Sequence, residues 1–175
     1  MAAMPLAAAA APSGDAALDA FQSICVATNN DYLATIKAAD AAGWTQTDLV
    51  PAPDSAISVT DKAARETAVG KEHLTLLVSR GLRHTKGGDV PEADCKISTD
   101  QADAGVVDRT KSWLGFAPDG GDATMALFYV KSGGDQPTHI PTSGLNAAMS
   151  SGGFSVIKAQ QDPASAILVY QSFTK

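Results

Sequence analysis

The chain predicts an α+β fold: an antiparallel sheet of about five strands, with two or three N-terminal helices and one inserted helix packed on it. Three observations carry that expectation. Apolar residues before position 45 recur at helical spacing. From residue 73 onward, bulky residues alternate with polar ones at the period of a strand. The last strands are joined by short turns, which make neighbouring strands antiparallel and leave the helices to one face.

The elements follow in order. Residues 15–28 read as a helix, because Leu18, Phe21, Ile24, Cys25 and Thr28 fall on one face, with Ser13 or Asp15 as cap. Asn29-Asn30 breaks the run. A second helix over about 31–42 turns Leu33, Ile36 and Ala39 inward, with Tyr32 beside them. Gly43 suits the position after that helix, where a left-handed backbone favours glycine. Trp44 is expected to fold back on the helix pair. Pro51 and Pro53 mark a loop, and 60–68 reads as a short helix capped by Thr60.

The alternation of Leu74, Leu76, Val78 and Leu82 with Thr75, Ser79 and Arg83 is a strand. Residues 87–91 form a loop, and Ala93–Ile97 opens a second strand. Helical spacing returns at Val106, Val107, Thr110, Trp113 and Leu114, over about 104–115. Residues 123–131 are apolar on both sides, which predicts a central strand with Leu127 and Phe128 buried on opposite faces. Strands over 153–160 and 166–173 are joined at Asp162-Pro163-Ala164-Ser165, which has Asp and Pro where a type I turn wants them. The same element list also fits an NTF2-like cone with a central pocket.

At 175 residues the chain suits one domain, over 15–175. Much of its apolar share is alanine, so the core must come from the bulkier residues of the second half. The net charge is −6, and the 13 Lys and Arg are scattered. Without a basic face the chain does not suit nucleic acid or an anionic membrane surface. No run of 18 apolar residues exists to span a bilayer.

Residues 1–14, Met-Ala-Ala-Met-Pro-Leu-Ala-Ala-Ala-Ala-Ala-Pro-Ser-Gly, resemble the second half of a secretory signal peptide. Ala9 and Ala11 fit an Ala-x-Ala cleavage site, while the positive segment expected upstream is missing, as for an internal or misassigned start. The alternative is a disordered Ala/Pro tail on a cytosolic protein. The signal-like pattern predicts a periplasmic or secreted protein. In such a compartment Cys25 and Cys95 are expected to form a disulfide, with two separate buried thiols as the alternative. Ser23-Ile24 before Cys25 does not suit a lipid-anchored cysteine.

Phe21-x-x-x-Cys25, then Ala42-Gly43-Trp44, then a lone second cysteine on a strand, resembles a group of small exported proteins of Gram-negative bacteria with no assigned activity. The resemblance implies export and the cysteine pair. It carries over no catalytic residues.

The motifs that could carry chemistry lack the context they need. Ser155-Val156-Ile157-Lys158 matches the Ser-x-x-Lys of β-lactamases, but an offset of three along a strand sends the two side chains to opposite faces. Gly-Gly-Asp occurs at 87–89, 120–122 and 133–135, with spacings too irregular for a calcium repeat, and reads as three turns. Asp100, Asp103 and Asp108 lack the EF-hand pattern. His73, His84 and His139 form no metal motif, although a site from His84 and His139 with Asp89 or Asp94 is conceivable. Gly70-Lys71 lacks the rest of a phosphate loop. No cofactor is implied.

The leading functional expectation is an envelope protein that binds a protein or small molecule through its sheet or adjacent loops, not an enzyme. The rival is a hydrolase whose residues converge only in three dimensions, for example His84, Asp94 or His139, since catalytic triads need no sequence proximity. A third is a cone that holds a lipid-like molecule. A pocket holding a histidine within hydrogen-bond reach of a carboxylate or serine favours the enzyme, a sheet face with a flat apolar patch favours the binder, and a closed apolar cavity favours the cone.

Overall fold

The computed structural model describes residues 16–48, 57–131 and 136–174. The expected tail 1–14, the caps Ser13 and Asp15, the loop at Pro51 and Pro53, and the third Gly-Gly-Asp lie outside them.

A turn of α-helix, α1 (Ala16–Ala20), continues as π-helix over Phe21–Val26. Helix α2 (Tyr32–Ala41) starts at Asp31, whose side chain accepts from the Ala34 N–H. Then come β1 (Thr45–Gln46), β2 (Ile57–Val69), β3 (Glu72–Thr85), β4 (Gly88–Thr99) and α3 (Val106–Leu114). The chain ends with β5 (Gly120–Gly121), β6 (Met125–Lys131), β7 (Thr138–His139), α4 (Thr142–Ser151), β8 (Phe154–Asp162) and β9 (Ser165–Phe173). The strands form one antiparallel sheet in the order β1-β2-β3-β4-β9-β8-β6-β5, with β7 beside β6.

The five-stranded expectation is therefore corrected to nine strands among the described residues, and the cone drawn from the same element list goes with it. Four strands are new. Residues 60–68 lie inside β2, where Ala63-Ala64-Arg65-Glu66 looks helical by propensity. Twelve register pairs with β3 override that preference, with the hairpin reversing at Gly70 in the left-handed region (φ 65°). Strands β1, β5 and β7 have two residues each, too few to show a period. Helix α4 was also unforeseen, because Ser, Gly and Asn dilute any helical signal in 142–151.

The strand 123–131 is not central. It is β6, with β8 on one side and only the short β5 and β7 on the other, while β4 and β9 hold the middle. Nor is it buried on both faces. Phe128 is fully buried, and Leu127 only half so.

One face of the sheet is the core. Leu76, Ile97 and Leu168 stand in one row across β3, β4 and β9, and Val78, Cys95, Tyr170, Ile157 and Phe128 run in the next from β3 to β6. The first helix presses Leu18, Phe21, Ile24 and Cys25 onto this face, and Phe21 meets Trp113 of α3 edge to face. Cys25 and Cys95 are bonded, with Cα atoms 5.6 Å apart. Trp44 is buried as expected, but Leu33 is exposed, and Thr35 and Ala39 carry the inward stripe of α2. No helix among the described residues is long and apolar enough to cross a membrane.

Candidate functional site

The second face of the sheet carries the densest chemistry. Side chains two apart on a strand share a face, so Glu92, Asp94 and Lys96 of β4 project together. Cross-strand register sets Phe173, Gln171 and Val169 of β9 beside them, then Phe154, Val156 and Lys158 of β8. Most of this face is half-buried, and it mixes charged with apolar residues. It is not the flat apolar patch that the sequence reading set as the sign of a binder.

At one end of this face Arg83 grips Glu92 through Nε and Nη2. Such fork-to-carboxylate pairs are strong and directional. Gln171 Nε2 donates to the same carboxylate at 2.7 Å. Glu92 is buried at 4% exposure, so these partners compensate its desolvation. Asp94 lies beside this cluster. Burial first, and the Glu92 charge second, push its pKa up to about 7, against the opposing pull of Gln171 and Arg83. Its Oδ1 is buried without a hydrogen-bond partner. On the other flank Lys96 is pushed down, by burial and then by the charge of Lys158.

Beside the Arg83–Glu92 pair an apolar pocket of about 300 Å³ is walled by Val90, Phe154, Phe173 and Met149, with Thr85 and Thr174 at its margin. Phe154 and Phe173 stack with ring centres 5.5 Å apart, and Tyr129 leans on Phe154 at 5.7 Å. Gly152, lining the same pocket, has a left-handed φ of 78° at the end of α4. That turn carries Met149 of α4 over to Phe154 of β8.

A larger open depression of about 640 Å³ lies on the core side of the sheet, beyond the helix ends. Its walls include Asn29, Asn30 and Tyr32 on one side and Asp61, Arg80 and Leu82 on the other. Arg80 bonds Asp61 at 2.7 Å and covers the Tyr32 ring at 5.1 Å.

The structure does not bring His84, His139 and Asp94 together. His139 Nε2 is 3.0 Å from Asp119, and its ring stacks on Phe116, so it staples β7 to the segment before β5. His84 sits between Asp89 and Ser58, far along β3 from Asp94. His73 pairs with Glu66. No cluster of three potential metal ligands occurs among the described residues. Ser155 is buried on the core face and Lys158 projects from the other, so the Ser-x-x-Lys pair is split as expected. The first Gly-Gly-Asp spans the β3–β4 turn. In the second, Asp122 accepts from Thr124 and Met125, and those bonds hold its carboxyl below the usual range.

Sequence reasoning missed Arg83, Glu92, Gln171, Phe154 and Phe173. A signal existed for one strand: Glu92, Asp94 and Lys96 alternate with Ala93, Cys95 and Ile97, a charged row opposite a buried one. The aromatic pair gave none, because its two members are 19 residues apart in sequence (173 − 154) and meet only through the β8–β9 register.

No family model, curated protein or solved structure matches this chain.

Proposed function

We propose that this protein is an exported binding module whose second sheet face holds a small amphipathic molecule. The observation that carries the reading is the apolar pocket between Phe154, Phe173, Val90 and Met149, with Arg83 at its wall. Ligand pockets combine an apolar lining with a few convergent polar groups. Here the rings and Met149 take the apolar body. Arg83 lines the pocket, with Thr85 and Thr174 at its margin, and these polar groups face the head group. The disulfide supports export, because such bonds persist in oxidising compartments.

Titration with the neutral dye Nile red tests the site. Saturable fluorescence enhancement at one dye per chain is expected. Met149→Lys alters an exposed residue and should abolish the enhancement with the melting temperature unchanged. Failure of the native protein to saturate, or full binding by Met149→Lys, rejects the pocket.

A further inference from the structure

We propose that Ser58 is the nucleophile of an acyl-transfer site, with His84 as its general base and Asp89 as the residue that orients the imidazole. Ser58 Oγ lies 2.7 Å from His84 Nε2, and His84 Nδ1 lies 2.7 Å from Asp89 Oδ1. A carboxylate only accepts hydrogen bonds. The Nδ1 proton therefore points at Asp89, and Nε2 is left to accept the Ser58 hydroxyl proton. That is the order of roles in a serine–histidine–carboxylate relay, which is recognised by geometry, not by position in sequence.

The sheet register builds this arrangement. His84 is directly opposite Asp89 in the β3–β4 pair, and Ser58 is opposite Leu82 in the β2–β3 pair. Residues two apart share a face, so all three side chains rise on the core side of the sheet. Ser58 reaches that side together with Asp61 only because β2 bulges. The register passes from Val59↔Gly81 to Asp61↔Arg80 and leaves Thr60 over. An offset of three would otherwise send residues 58 and 61 to opposite faces, and bulges are known to re-aim side chains beside active sites. Gly81 permits the close approach, since a Cβ there would collide with the Ser58 carbonyl oxygen.

Ser58, His84 and Asp89 lie outside the lining of the large depression, but their neighbours reach it. Leu82, the partner of Ser58, lines it, as do Pro91 and Asp61. Asn30 lines it too, buried at 2% exposure, and its Oδ1 has no hydrogen-bond partner. On ideal sheet spacing, Ala93, where Asn30 is anchored, is two strands and one side-chain row from Ser58, roughly 12 Å away. Running from Leu82, the cross-strand partner of Ser58, the depression gives an acyl donor a bed next to the nucleophile's strand pair.

The chemistry needs no further reagent than water. Ser58 Oγ attacks the acyl carbon while its proton passes to His84 Nε2. The tetrahedral adduct collapses, the bond to the leaving group breaks, and that group takes the proton from Nε2. Water then attacks the acyl-serine with His84 again as base, releasing the acid and restoring Ser58. His84 and Asp89 are each about half exposed, with side-chain exposures of 50% and 52%. Solvent screens such a pair, so the substrates are acyl compounds with good leaving groups, such as thioesters or strained lactones.

The disulfide-intact chain is treated with an alkyl fluorophosphonate, and adduct formation is followed by intact mass and peptide mapping. One adduct per chain on Ser58 is expected, absent in Ser58→Ala. His84→Ala should slow it by about 10²-fold, the scale of general-base catalysis. Asp89→Ala should slow labelling and Asp89→Glu should restore part of the rate, a rescue that a merely structural aspartate would not show. All three side chains are exposed, so circular dichroism should be unchanged throughout. No adduct on Ser58, or equal rates in the wild type and His84→Ala, overturns the proposal.

Discussion

Burial, and then the charge of Glu92 two residues along the same face of β4, raises the pKa of Asp94. The pH dependence follows. Asp94 has a folded pKa of about 7, above its unfolded value of 3.8. Between those values the folded chain keeps a proton that the unfolded chain releases. Stability from this group is therefore complete below the unfolded pKa, falls as pH rises through the window, and is flat above it. Asp94→Asn removes the charge but keeps the shape. The variant should gain melting temperature over the wild type at pH 8 and lose that advantage by pH 4. An equal offset at both values would show that Asp94 titrates normally.

Phe128 and Leu127 separate a one-sided core from a two-sided one. Phe128 is fully buried and its ring meets Phe116 at 5.9 Å. Phe128→Ala should cost about 3–5 kcal/mol in urea unfolding. Leu127 lies half-buried on the second face, so Leu127→Ala should cost no more than about 1 kcal/mol, less than the 2–5 of a closed site. Similar losses at both positions would mean that something covers the second face.

The contrast between these two residues also shows what the sequence could reveal. Strand positions were legible wherever one face is core, because Leu74, Leu76 and Val78 repeat with period 2. Helix α3 was legible from Val106, Thr110 and Leu114, and Gly115 ends it with a φ of 77°. The cysteine pairing followed from there being only two. Burial of Leu127 was misjudged because an apolar residue on an open face looks the same in sequence as one in a core. Strand β2 was misread because its pairing energy comes from β3, which a local window does not contain. The Ser58–His84–Asp89 relay was hidden for the same reason. Ser58 is 26 residues from His84 (84 − 58), and a bulge rather than a motif turns it to the right face.

The disulfide joins residues 70 apart in sequence. Closing a loop of that length restricts the unfolded chain by about 4 kcal/mol in the chain-entropy account. Denatured, unreduced protein from an oxidising compartment should show no reactive thiol. Reduction should lower the urea midpoint markedly and raise the slope, because the released unfolded chain exposes more surface. Two thiols per chain without reduction would remove the bond from the native protein.

The last prediction separates backbone strain from side-chain anchoring at the turn between the first two helices. Asn29 and Asn30 are both left-handed, with φ of 52° and 58°. Asparagine tolerates this region better than other side chains, and glycine tolerates it best. The two residues differ in what their side chains do. Asn29 is exposed and only accepts a 3.3 Å bond from the Tyr170 hydroxyl. Asn30 is buried, and its Nδ2 is 2.6 Å from Ala93 O, 2.8 Å from Tyr170 O and 2.7 Å from Ser172 Oγ. It ties the helix turn to β4 and β9 across the edge of the core. Asn29→Gly should therefore be neutral or stabilising by a few tenths of a kcal/mol. Asn30→Gly relieves the same backbone but leaves buried acceptors without a donor, which costs about 1–3 kcal/mol. Asn30→Ala should cost about 1–2 kcal/mol beyond Asn30→Gly, because alanine adds the left-handed penalty. Urea unfolding of the three variants gives the ranking. If Asn30→Gly is as harmless as Asn29→Gly, the anchor contributes nothing, and the turn is held by the disulfide and the packing of Phe21 and Ile24 alone.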